Sequence, residues 1–158
     1  MADAYRLAAL LKLRERAREE AEQDLARAQS ARGKAERNLE AAQRFEQECQ
    51  TKVDDAKTKL YDGVDLTIGK IQGREAFAKR LQTGLEAAHE EVERCEQSLQ
   101  LAQDQVRQAN EALIKTKTDE EALLKHREKW ELEQKTIRRR REEDEADDIA
   151  QTLWLRKK

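Results

Sequence analysis

The sequence predicts an all-α protein, a long two-helix antiparallel coiled-coil hairpin with an overhanging C-terminal helix. Three observations carry that expectation. Ala, Glu, Lys, Arg and Leu make up 96 of the 158 residues, past the roughly 50% that marks long helices and coiled coils. There is no proline and there are only five glycines, so the residues that interrupt helices, at about 3 and about 1 kcal/mol each, are nearly absent. Apolar side chains recur at alternating steps of three and four in both halves of the chain, the period of a helical seam. Aromatics at 4% cannot fill a globular core, so the chain is expected to bury one narrow stripe per helix.

The chain is expected to be a single coiled-coil domain over residues 1–158. Its first helix is placed at about 3–60, with a seam from Ala4, Leu7, Leu11, Arg14, Arg18, Ala21 and Leu25 through Ala28, Arg32, Ala35, Leu39, Ala42, Glu46, Cys49, Val53 and Ala56 to Leu60. The stretch YDGVDLTIGKIQG, Tyr61 to Gly73, holds three of the five glycines and two short acids, which suit turns and caps. The hairpin tip is placed there, at about 61–67, with Asp65 or Thr67 as N-cap of the second helix and Gly69 and Gly73 keeping the tip adaptable. The second helix is placed at about 68–155. Its seam alternates Ile71, Ala78, Leu85, Val92, Leu99, Val106 and Leu113 with Leu81, Ala88, Cys95, Ala102, Ala109, Thr116 and Leu123.

Side-chain size sets the direction of pairing. Larger residues tend to alternate with smaller ones along each seam. A parallel pair would stack large on large and small on small, whereas an antiparallel pair sets large against small, as dense packing requires. A register in which facing residue numbers add to roughly 134 puts the turn inside the glycine-rich stretch. It pairs Leu39 with Cys95, Val53 with Leu81, Ala42 with Val92, Ala35 with Leu99 and Leu11 with Leu123, and sets Arg14 against Glu120. Opposite charges at that point help to fix the register. The two cysteines, Cys49 and Cys95, then lie about 15 Å apart along the axis, too far for a disulfide, and are expected to be small core residues.

In the same register Ala4 faces Trp130, so residues 131–158 form an overhang without an intramolecular partner. Arg138 to Arg141 are followed at once by Glu142 to Glu145, which sets up four opposite-charge pairs at i and i+4, each adding about 0.2 to 0.5 kcal/mol. Beyond them Ala146, Ile149, Ala150 and Leu153 share one face, Trp154 lies beside it, and Lys157 and Lys158 suit the negative end of a helix dipole. Trp130, Ile137, Arg138, Arg141, Ile149, Leu153 and Trp154 are therefore the candidate partner-binding residues of the overhang. At the tip, Tyr61, Val64, Leu66, Ile68, Ile71 and Phe77 crowd together. Closing the hairpin accounts for part of that group, and Leu66, Ile68, Ile71 and Phe77 are the candidate contacts there.

Several function classes find no support. A net charge of -2 gives no field toward nucleic acid or an anionic membrane, and the acids beside Arg138 to Arg141 argue against a basic nucleic-acid patch. No nucleophile with its base, paired acid and base, metal-ligand spacing or phosphate-binding glycine loop is present. No catalytic, cofactor or metal site is expected. His89 and His126 sit singly on charged faces and are expected to be solvated. The opening MADAYRLAALLKLRERAREE gains charge too early for a secretory signal or a membrane span, so a cytosolic monomer without membrane insertion is expected.

The opening LAALLKLRERAREEAEQDLARAQ, the central DLTIGKIQGREAFAKRLQTGLEAA and the ending EEDEADDIAQTLWLRKK together resemble the central stalk proteins of type III secretion export ATPases, FliJ of the flagellum and YscO of injectisomes. The likeness to the injectisome branch spans the whole chain, and the acidic then apolar ending is its most distinctive part. It implies a non-enzymatic hairpin similar to the gamma subunit of rotary ATPases, cytoplasmic and peripheral to the secretion apparatus at the inner membrane. Its paired termini would enter a hexameric secretion ATPase and promote assembly or turnover. The tip would be free for the export gate protein, and escort chaperones would be further partners. The competing expectation is a coiled-coil scaffold or tether unrelated to an ATPase.

Overall fold

The structure is a computed structural model and describes residues 4–157; the expected helix start near residue 3 and the Lys158 cap lie outside that range. It is an all-α helical hairpin of α1 (Ala8–Thr58) and α2 (Ile68–Arg156), and there is no strand among the described residues. Contacts divide the chain into two compact units, one holding the chain ends up to Glu22 and from Glu111 onward, the other Gln23–Asn110.

In the unit Gln23–Asn110 the buried apolar residues are Ala35, Val53, Ala88, Val92 and Ala102, with Val53 fully buried. All lie on the expected seam, and all five are Ala or Val, small enough for two backbones to approach closely. Polar contacts across this unit join Glu46 to His89 and Lys59 to Arg74, each within about one helical turn of the expected register.

The connection between the helices, residues 59–67, is also in this unit. The α1 end is fastened by Arg74, whose Nη1 donates to the carbonyls of Lys59 at 2.9 Å, Leu60 at 3.4 Å and Asp62 at 2.6 Å. These carbonyls lie in the turn that directly follows the last residue of α1, and a cation there also opposes the helix dipole. Gly63 then turns the chain with φ 123°, a conformation that side chains with a Cβ rarely adopt. Of the two expected caps, Thr67 is the one used: its Oγ1 accepts from Lys70 N at 3.3 Å. Asp65 instead presents its backbone carbonyl to Lys70 Nζ at 3.1 Å. Gly69 and Gly73 lie inside the first turns of α2 rather than in the connection.

In the unit with the chain ends, Leu11, Ala21 and Leu113 are buried, again on the seam. The expected Arg14 to Glu120 pair is replaced by two ion pairs shifted by a fraction of a turn. Arg14 meets Asp119 at 3.1 Å, and Glu120 takes Arg18 Nε at 2.6 Å. Long guanidinium stems reach past the residue directly opposite, so a seam cation need not choose its nominal partner. Residues 4–7 are not helical, and α1 begins at Ala8, whose N–H donates to the Tyr5 carbonyl at 3.1 Å.

Candidate functional site

In the unit with the chain ends, the expected Ala4 to Trp130 facing is taken over by Tyr5. The Tyr5 ring lies 5.4 Å from the Trp130 ring, tilted by 52°, and 5.8 Å from His126. Its hydroxyl is 2.9 Å from His126 Nδ1 and 3.5 Å from the Leu123 carbonyl. Tilted aromatic contacts of this kind contribute about 0.5 to 1.5 kcal/mol beyond the area they cover. His126 is thus exposed but partnered. Trp130 is half-buried and faces two open clefts, of about 550 and 330 Å³, in whose walls Tyr5 also stands.

From Lys135 through Lys157 every residue is exposed. Ile137 is 43% exposed, Ile149 61%, Leu153 55%, Trp154 60% and Leu155 66%. Arg138 and Arg141 are exposed as well. Leu155 was not singled out from the sequence, because it lies off the stripe of Ala146, Ile149, Ala150 and Leu153. Of the four expected charge pairs, one forms among the described residues, Arg139 to Glu143 at 3.0 Å. The Arg-first order is the weaker orientation at i and i+4, and fully solvated pairs gain little from holding one geometry. The segment is helical nonetheless, as the continuation of an already nucleated helix.

At the tip, Leu66 and Ile71 are half-buried, while Ile68 and Phe77 are exposed. The first two help to close the turn, and the latter two join Tyr61 and the fully exposed Val64 as open apolar surface. Arg74, which organises this turn, carried no signal in the sequence beyond its charge.

The remaining chemistry-bearing residues are structural. Cys49 and Cys95 are half-buried free thiols. Burial, and then the adjacent Glu91, push the Cys95 thiol above its ordinary range, which disfavours the reactive thiolate. His89 is exposed yet bonded to Glu46 across the helices at 2.6 Å, so neither histidine is simply solvated. The described residues hold no group of three or more His, Cys, Asp or Glu that could bind a metal. No helix among them is long and apolar enough to cross a membrane.

No curated protein matches the chain. Among solved structures, that of CT670 from Chlamydia trachomatis, described as a proposed YscO homolog, superposes with a TM-score of 0.81 over 96% of this chain and 94% of that one. At 21% identity that likeness speaks for the fold. The family described as YscO-like protein matches residues 2–158, nearly the whole sequence and all of the surfaces above. The chain belongs to the YscO-like family, the stalk-type proteins of type III secretion.

Proposed function

We propose that this chain is the non-enzymatic central stalk of a type III secretion export apparatus, acting on a hexameric secretion ATPase much as a gamma subunit acts in a rotary ATPase. The observation that carries the reading is the exposed helical segment from Lys135 to Lys157, with Ile137, Ile149 and Leu153 presented to solvent. An exposed apolar set beside dense mixed charge fits a surface that meets a partner. In this reading the chain ends, with Trp130, Arg138, Arg141 and Trp154, face the ATPase. The tip, with Leu66, Ile68, Ile71 and Phe77, faces the export gate protein.

The mechanism asks for no bond chemistry from the stalk. A single asymmetric chain in a ring of like subunits touches each of them differently, and it shifts each subunit's conformation by its differential affinity for the available states. Arg138 to Arg141 and the acids that follow suit such contacts, since solvated ion pairs are weak and exchange readily. The protein acts as a cytoplasmic monomer at the inner-membrane apparatus, with secretion chaperones as further partners.

The test is turnover of the cognate export ATPase under ring-forming conditions. Intact protein raises turnover, and truncation after Trp130 removes the effect. Unchanged turnover with the intact protein would overturn the proposal and leave a scaffold or tether.

A further inference from the structure

We propose that His89 and Glu46 form a proton-operated clasp between α1 and α2, closed when the imidazole carries its second proton and loosened when that proton leaves. Glu46 interrupts an otherwise mostly apolar stretch of the α1 seam, lying seven residues before the fully buried Val53. Its side chain is only 28% exposed. A half-buried carboxylate needs a compensating partner, and α2 supplies one from beside Ala88, itself buried. His89 Nδ1 lies 2.6 Å from Glu46 Oε1, while Nε2 lies 3.7 Å from Glu93 Oε1. A neutral imidazole has one N–H and can serve one of these carboxylates; the imidazolium has two and can serve both.

The surroundings favour the charged ring. The open groove at this point, about 610 Å³, is lined by Glu46 and Gln50 from α1 and by Glu86, Glu90 and Glu93 from α2. The imidazole is the only group among its lining residues that can carry positive charge. The bond to Glu46 raises the His89 pKa above its ordinary value and the charge of Glu46 adds to this; burial opposes them, and Glu93 and Glu96 each add a smaller push upward.

The direction of the pH effect follows. A histidine whose pKa rises on folding contributes stability that is fully present below its unfolded value of about 6.5 and is lost as pH climbs through the higher folded value. The clasp therefore works across the range in which histidine is the natural sensor. It acts on the hairpin itself, whichever partner binds the protein's ends.

The experiment uses the full chain with His126→Gln, so that His89 is the single histidine. The imidazole resonance is followed against pH, with and without Glu46→Gln, and thermal midpoints are compared with those of a His89→Gln derivative. The titration midpoint is expected to lie above about 6.5 and to fall toward it in Glu46→Gln. The thermal midpoint is expected to exceed that of His89→Gln by a few degrees at acid pH near 5.5, with the difference closing by about pH 9. An imidazole midpoint unmoved by Glu46→Gln, or a thermal difference that does not change with pH, would overturn the clasp.

Discussion

In Gln23–Asn110 the buried side chains are Ala35, Val53, Ala88, Val92 and Ala102, while in the unit with the chain ends they are Leu11, Ala21 and Leu113. The first unit relies on close approach of small residues, with the Glu46 to His89 bond and the Arg74 cap as its polar ties. The second has two cross-helix ion pairs, Arg14 to Asp119 and Arg18 to Glu120, and a Tyr5 to Trp130 contact. Beyond Gln134, α2 runs on with every described residue exposed. The difference teaches that one heptad pattern can specify pairing and then, by losing its apolar positions, leave a helix open for contact. After Leu113 the alternate seam positions become Glu120, Arg127, Gln134 and Arg141, and burial ends within that run.

An all-or-none probe of the pairing is Leu39→Cys, oxidised at low protein concentration and alkaline pH, because the Cys95 thiol sits above its ordinary range. A rapid intramolecular crosslink to Cys95 is expected on a non-reducing gel. Covalent dimers without that crosslink would break the hairpin register.

The largest energetic effects belong to the seam. Leu113→Ala, at a site 8% exposed, should cost about 3 kcal/mol in urea denaturation, whereas Ile149→Ala should stay within about 0.5 kcal/mol. A large loss at Ile149 would mean that the C-terminal segment packs on the hairpin, and the contrast between paired and exposed helix would fail. Arg74→Ala should cost about 1 kcal/mol, because the backbone carbonyls of the turn lose a charged donor. Hydrogen exchange should then rise around residues 59–67 more than elsewhere. Tyr5→Ala should cost a similar amount, about 1 kcal/mol, and should shift Trp130 emission to the red in a Trp154→Phe background. Smallest of all, Arg139→Ala should change stability by at most about 0.5 kcal/mol.

The fold was legible because it depends on periodicity and side-chain volume, which are properties of sequence. All eight buried apolar residues, from Leu11 to Leu113, lie on the expected seam. The polar contacts were less legible. Arg14 and Arg18 share Asp119 and Glu120 in a way that depends on rotamers rather than spacing. Tyr5 leaves the helical path to cover Trp130, although Ala4 to Leu7 contain no helix breaker. Arg74 reaches back across the turn to carbonyls no composition marks. Exposure of Ile149 and Leu153 followed from the lost seam positions. The side chains that a partner grips depend on two surfaces, and the sequence holds one of them.

The most direct measurement combines stability and stimulation in one variant, Ile149→Ser with Leu153→Ser. The expected result is an unchanged thermal midpoint together with loss of the rise in cognate ATPase turnover proposed for the unaltered protein. Full stimulation by a folded double variant would contradict it, and would move the working surface away from the exposed end of α2.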